Sequence, residues 1–315
     1  MRRALTIFAL ICTIGIHVSG QEMQKLVFTP NWMAHAEFAG HYVALEKGFY
    51  RDAGLDVEIV HPSMSESAMD RISSQKCQVT VLTLTQALDL IDKGLPLVNI
   101  LQTSMNNPLC LISRHGEDPL TLKGKRVGYW SAGSGLLALC MNNKEHLGYQ
   151  WVNFISNINL FVAGAIDATV AMSHNEYYQL LQAGMELTEK SVYRFCEHDY
   201  NIQGDGVYMT KSYYEKHREE AKRFAAATLK GWEWVVTHKE ETIDIVMKYV
   251  RQNRVGTNRT LQELMLDEIL RLQIDRESKK REFRLRPDMV KHACELMMAS
   301  GIMKHEVRYE EIIAR

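Results

Sequence analysis

The chain runs twice through the same alternation of short apolar strands and helices, then turns helical to its end, and this order constrains the fold more than any single motif. Residues 25–29 read as a strand stopped by Pro30. Residues 36–47 read as a helix, with Phe38, Tyr42 and Leu45 spaced four and three apart and Gly48 at its end. In 55–60, Leu55, Val57 and Ile59 alternate with Asp56 and Glu58, the pattern of a half-buried strand. Helices at 67–74 and 86–91 and strands at 79–83, 98–102 and 110–113 complete the first block. The second block has strands at 126–129, 151–155, 168–172 and 191–195, with helices at 136–147 and 176–183. From Gly206 helices take over, at 212–236 with a break, 239–250, 261–272 and 287–300, and the polar stretch 251–260 reads as a loop. Strands alternating with helices build a sheet flanked by helices, so the fold class is α/β, in two blocks with a helical tail.

The start of the chain has a separate meaning. Met1, Arg2 and Arg3 precede a mostly apolar run from Ala4 to Ile16 and the small residues Ser19 and Gly20, the pattern of a secretory signal peptide over residues 1–20. The run is shorter than the roughly 20 residues that span a bilayer. Cleavage after Gly20 removes two of the 37 basic residues and leaves 35 against 38 acidic ones, a net charge of −3. Such a balance excludes a nucleic-acid binder, whose surface needs concentrated basic charge. A 46% hydrophobic composition with six prolines excludes disorder. Of six cysteines, Cys12 lies in the leader, where the bulky Ile11 before it argues against a lipid anchor. Cys77, Cys110, Cys140, Cys196 and Cys294 are widely spaced, odd in number and form no CxxC, so mostly free, buried thiols are expected and no metal site. The methionines of the tail sit at helical spacing and are expected in the core; the charged run 276–286 is expected to be a solvated face.

Several motifs recur in a distinctive order: Asn31-Trp32, Ala36-Glu37-Phe38-Ala39-Gly40-His41-Tyr42-Val43-Ala44, Lys47-Gly48-Phe49-Tyr50 and Ala53-Gly54-Leu55-Asp56-Val57, then Gly124-Lys125-Arg126-Val127-Gly128-Tyr129, Gly164-Ala165-Ile166-Asp167-Ala168, Asn175-Glu176 and Asp205-Gly206-Val207-Tyr208. Together they resemble the thiamine-pyrimidine-synthase-like (NMT1/THI5-like) substrate-binding proteins of ABC transporters, over roughly residues 25–249. The resemblance implies a type II periplasmic binding protein fold, with two α/β lobes, two crossings and a ligand cleft between them. On this basis residues 21–114 and 204–315 form lobe 1 with the helical tail, and residues 115–203 form lobe 2.

In α/β lobes ligands sit beyond the carboxyl ends of strands, near helix N-termini. The candidates for ligand contact lie at such positions. Asn31 and Trp32 follow the first strand and offer a flat apolar face with donor and acceptor groups, suited to a planar heteroaromatic ring. His35, and Glu37 beside it, open the next helix, while His41 is expected to pack against the helix face. Thr83 precedes the helix at 86–91, where a helix cap is the competing reading. Trp130 and Ser134 flank the turn Ser131-Ala132-Gly133, whose free N–H groups suit a polar ligand atom but which lacks the phosphate-loop pattern. Glu176 opens a helix, where a carboxylate meets the helix dipole, and it also suits the exocyclic amine of an aminopyrimidine. Asp205 lies at the return crossing as a possible latch, with a plain turn as its rival.

The resulting expectation is an exported, monomeric, non-enzymatic protein that captures a small-molecule ligand, a thiamine pyrimidine precursor, without a cofactor, and delivers it to an ABC permease in the inner membrane. Binding of riboflavin, sulfonate or nitrate, or a sensory module, remain as alternatives. A pyrimidine-synthase-like enzyme is the remote one: the cysteine-rich motif of the family's namesake enzyme is missing, with only Cys196 in the comparable region, and no GxSxG or HExxH pattern occurs.

Overall fold

A computed structural model of the protein describes residues 23–130, 135–154 and 157–315. The leader reading over residues 1–20 and the candidate Ser134 lie outside the described residues.

Two five-stranded sheets organise the chain. The first contains β1 (Gln24–Thr29), β2 (Leu55–Ile59), β3 (Val79–Thr83), β4 (Leu97–Gln102) and a late strand, β10 (Asp205–Thr210), in the order β2-β1-β3-β10-β4. The second contains β5 (Leu109–Ser113), β6 (Arg126–Trp130), β7 (Gln150–Phe154), β8 (Ala168–Met172) and β9 (Val192–Arg194), in the order β7-β6-β8-β5-β9. Each sheet has three parallel strands followed by one antiparallel strand in the fourth place. In the first sheet that antiparallel strand is β10, which arrives after the second sheet is complete. In the second sheet it is β5, which leaves the first sheet behind. The two exchanged strands are therefore the two crossings between lobes.

This corrects two expectations. Residues 109–113, placed in lobe 1 by the sequence reading, pair with β8 and β9 of the second sheet. Asp205-Gly206, read as a latch and bend at the return crossing with a plain turn as the rival, begins a central strand. Gly206 is required there by crowding: a Cβ would lie 2.4 Å from Asn99 Nδ2 and 2.6 Å from Gln102 Oε1.

The burial patterns follow strand position. Edge strand β2 buries Leu55 and Val57 and exposes Asp56 and Glu58, whereas β3 and β5 are buried throughout, as central strands covered on both faces must be. The helices are α1 (Ala39–Glu46), α2 (Phe49–Asp52), α3 (Ala68–Ser73), α4 (Leu84–Asp92), α5 (Leu136–Lys144), α6 (Asn159–Val162), α7 (Glu176–Gln182), α8 (Lys211–Tyr214), α9 (Arg218–Thr237), α10 (Lys239–Gln252), α11 (Arg259–Leu272), α12 (Pro287–Ala299) and α13 (Tyr309–Ile312). Local chemistry starts several of them: Ser67 and Thr83 form capping boxes on α3 and α4, Asn258 caps α11, and Pro287 opens α12.

The first lobe packs α1, α9, α10 and α11 over one face of its sheet, around Tyr42, Tyr50, Phe224 and Trp232. At the α1–α9 crossing the backbones touch: a Cβ on Gly231 would lie 2.0 Å from the Gly40 carbonyl oxygen, and one on Gly40 2.4 Å from the Trp232 ring. His41 is buried in the same layer, stacked on Phe28 at 4.3 Å, as expected. A second core runs from Leu84 and Leu88 of α4 through Val290, Ala293 and Met297 of α12 to Val127, Leu137 and Met141 of the second lobe, so the tail joins the two lobes. The far face of the second sheet is covered by a small cluster that includes Ile112, Phe161 and Leu180. All five described cysteines are free and buried, as their spacing suggests. Among the described residues no helix is long and apolar enough to cross a membrane.

Candidate ligand-binding cleft

The carboxyl ends of β1 and β3 in the first sheet and of β6 and β8 in the second point into the space between the lobes. The loops that follow β1 and β8 meet there, beside Trp130 at the end of β6. They line a cleft of about 420 Å³, its mouth included, with Asn31, Trp32 and Glu37 from the first lobe and Trp130, Met172, His174, Asn175 and Glu176 from the second.

The first-lobe wall is held by a short relay. Tyr42 donates its hydroxyl to His61 Nε2 at 3.0 Å, and His61 Nδ1 donates to the Trp32 carbonyl at 2.8 Å. A carbonyl only accepts, so the proton sits on Nδ1; burial keeps this imidazole neutral, with its pKa lowered to about 4. The Ala36 N–H donates to Gln262 Oε1 of α11 at 2.7 Å, which ties the start of the following turn to the tail.

The second-lobe wall is the turn between β8 and α7. Glu176 folds back on it: Oε2 accepts the Met172 N–H at 2.9 Å and Oε1 accepts from Asn175 Nδ2 at 3.2 Å. Burial raises its pKa, and these bonds oppose the rise. Ser173 reaches across the lobes and donates to Glu268 Oε1 at 2.6 Å. Arg271 holds the same carboxylate with two bonds, at 2.6 and 2.7 Å. Burial works to raise the Glu268 pKa, but Arg271 and Ser173 outweigh it and hold the group below its ordinary value.

Glu37 of the first-lobe wall interacts electrostatically with Asp205 at the start of β10. Burial raises both, Glu37 to about 7 and Asp205 well above the usual carboxylate range; the charge of Glu176 adds to the rise of Glu37, and that of Glu37 to the rise of Asp205. His174 Nε2 lies 3.7 Å from Glu37 Oε2, while its Nδ1 is buried without a partner. Burial lowers the His174 pKa.

The structure thus brings Asn31, Trp32, Trp130 and Glu176 of the sequence candidates to one cleft. His35 is buried beside it, its Nδ1 unpartnered and its pKa lowered by burial to about 3, but it is not a lining residue. Thr83 caps α4, accepting from the Gln86 N–H at 3.2 Å, and also lies off the lining. Asp205 is buried at the start of β10 and also lies off the lining. Sequence reasoning left out His174 and Met172. A histidine just past the carboxyl end of a strand was the available signal for His174; Met172 carried none.

A family model described as NMT1/THI5 like matches residues 35–242. The formylaminopyrimidine-binding protein of Halalkalibacterium halodurans is 24% identical over 257 residues, covering 76% of this chain and 75% of that protein. The 4-amino-5-hydroxymethyl-2-methylpyrimidine phosphate synthase of Candida albicans is 29% identical over 110 residues, covering 33% of this chain and 32% of the enzyme. Among solved structures, the periplasmic aliphatic sulphonate binding protein SsuA of Escherichia coli superposes with a TM-score of 0.67 at 14% identity, over 94% of this chain and 92% of that one. The fold is therefore that of the type II periplasmic binding proteins, two α/β lobes around a cleft.

Proposed function

This chain belongs to the NMT1/THI5-like family, and from that premise we propose that it is an exported, monomeric solute-binding protein that captures a thiamine pyrimidine precursor between its lobes and delivers it to an ABC permease. One observation carries the choice of ligand. The cleft sets two indole side chains beside two carboxyls, and among the described residues no lysine or arginine lines it. Carboxylates without a cation repel a sulfonate or nitrate and accept from an amine, while indole faces stack on a planar ring. The formylaminopyrimidine in the name of the Halalkalibacterium halodurans relative supports the same reading. The likeness to the synthase is confined to a third of each chain, and Cys196 alone stands where its cysteine-rich motif would lie, which favours binding over catalysis.

Ligand enters the open form, stacks on Trp32 or Trp130, and is enclosed as the second lobe swings its turn at 172–176 against the first. Because the ligand touches both walls only when they meet, it shifts the population toward the closed form, and that closed surface is what the permease reads. Titration calorimetry on refolded, ligand-stripped protein tests this, with 4-amino-5-hydroxymethyl-2-methylpyrimidine and its formylaminomethyl relative as probes. Micromolar or tighter binding is expected, weakened in Glu176→Gln by about 1 kcal/mol. Silence toward both, with heat on adding methanesulfonate, would overturn the pyrimidine assignment.

A further inference from the structure

The cleft does not end at its first-lobe wall. Asn31 and Trp32, which line it, also line a second and larger space of about 1390 Å³, its mouth included. This chamber follows residues 62–70, borders α4 and reaches Leu136 at the start of α5, so both lobes enclose it. Small-molecule sites usually measure about 300–1,000 Å³. The cleft alone lies near the lower end of that range, and the chamber exceeds it. The long wall at 62–70 is held in place from several sides. Ser63 and Glu66 exchange backbone bonds at 3.0 and 3.3 Å. Glu66 accepts from Arg71 Nη1 at 2.8 Å and pairs with Lys76, while Arg71 Nε donates to Thr29 Oγ1 at the end of β1 at 3.0 Å. The Ser67 N–H donates to the Asp70 carboxylate at 2.8 Å, and Ser67 Oγ accepts the Asp70 N–H at 3.1 Å. Met64 on this wall stays 56% exposed rather than packed. Protein interiors leave few voids larger than a water molecule, so a space of this size, fixed open beside a cleft, is room for a bound molecule.

The chemistry of the lining narrows what enters. Among the described residues that line the chamber, Glu66, Asp70 and Asp89 are carboxylates, and the one cation, Lys93, is already paired with Asp89 at 2.7 Å. Such a wall repels a phosphate and admits a neutral or cationic group, and the hydroxyls of Ser63 and Ser65 offer it hydrogen bonds. We infer that this protein holds a planar heteroaromatic ring extended by a second group without negative charge. The ring lies in the cleft, and the appended ring or hydroxylated chain passes Trp32 into the chamber. Leu136 borders the chamber from the second lobe, so the appended group, like the ring, touches both lobes and favours their closure. The inference rests on the reading of the cleft as a site for a planar heterocycle, and adds that a ligand larger than a single pyrimidine ring is the one bound best.

The test is calorimetric binding by the ligand-stripped full chain and by Ser63→Trp and Ser65→Trp, each checked for an intact melting transition. Both serines are exposed on the chamber wall and absent from the cleft lining, so an added indole narrows the chamber and leaves the cleft as it is. The compact probe is 4-amino-5-hydroxymethyl-2-methylpyrimidine. Thiamine extends the same ring with a cationic thiazolium, and riboflavin is a planar ring with a hydroxylated chain; thiamine monophosphate and riboflavin 5′-phosphate add a negative end to each. One of the two extended ligands should bind wild type at least about tenfold more tightly than the compact probe, and its phosphate about tenfold more weakly than itself. The tryptophan variants should lose that gain, by about tenfold, and hold the compact probe within about threefold of wild type. An extended ligand no tighter than the compact one, a phosphate tighter than its parent, an extended ligand undiminished in both variants, or equal loss of compact and extended ligands would each overturn the inference. If the hydroxymethylpyrimidine binds and neither extended ligand does, the inference falls and the pyrimidine reading stands. If riboflavin alone binds and the tryptophan variants weaken it, the pyrimidine reading falls and the inference stands. If only methanesulfonate binds, both fall.

Discussion

The two lobes share one strand order and differ in what covers it. In the first, the 20-residue α9 and the 14-residue α10 and α11 lie over the sheet together with α1, and the core they close includes Trp232, Tyr42, Tyr50 and Phe224. In the second, the outer face is closed by short helices and a cluster of six buried side chains. Since apolar burial is the main stabilising term, the same strand order should be held more firmly in the first lobe than in the second. The first lobe is a frame in which the loop at 31–37 is buttressed by Tyr42, His61 and Gln262. The second is a lighter jaw whose cleft turn depends on bonds within itself and on one reach across to Glu268.

The largest effect should come from attacking the frame. Trp232→Ala removes a fully buried side chain at the α1–α9 crossing and should lower the unfolding free energy by about 3–5 kcal/mol, whereas Leu180→Ala in the jaw should lower it by about 2 kcal/mol. Urea unfolding measures both, and a larger loss in Leu180→Ala would invert the comparison.

Acid should also act chiefly through the frame. Burial lowers the His41 pKa to about 3 in the folded protein, against 6.5 for the free side chain. Between those values the unfolded chain binds the extra proton, so stability falls as pH drops from about 6.5 toward 3, by roughly 1.4 kcal/mol per pH unit for this one group. In His41→Phe the slope of stability against pH in this window should be shallower by one proton; an unchanged slope would mean that His41 takes up its proton while folded.

The jaw's hold is tested next. Glu268→Ala strands the Ser173 hydroxyl and frees Arg271, which should open the ligand-free protein in small-angle scattering and weaken ligand by about 1–2 kcal/mol. An unchanged profile and affinity would show that closure does not depend on this contact. The smallest effects separate the walls: Trp32→Ala and Trp130→Ala should each weaken an aminopyrimidine by about 1 kcal/mol. Loss in one variant alone would assign the stacking face to a single lobe.

Much of this was legible along the chain. β3 announced itself by a run of Val and Thr, α4 by Thr83 and Gln86, and the cleft's edges by Trp32, Trp130 and Glu176 at strand ends and a helix start. The reading failed at β10 because Asp205-Gly206 is a turn signal locally, and what makes it strand is pairing with β3 and β4, distant in sequence. It misplaced β5 for the same reason: an apolar strand carries no mark of which sheet it will join. It offered Glu37 as a residue within reach of the cleft, where it does line the wall, and Asp205 as a latch, which lies off the lining, since no local pattern says where a strand's carboxyl will face.

The sequence by itself determined the α/β class, most strand and helix positions, the caps and the buried free thiols, because each depends on side chains within a few residues of one another. Only the tertiary structure decided which strands exchange between the lobes, which side chains face each other across the cleft, and that burial raises the carboxyls of Glu37 and Asp205. Those outcomes rest on burial and on contacts between segments far apart in the chain, and a carboxyl acquires its chemistry from whatever the fold sets beside it.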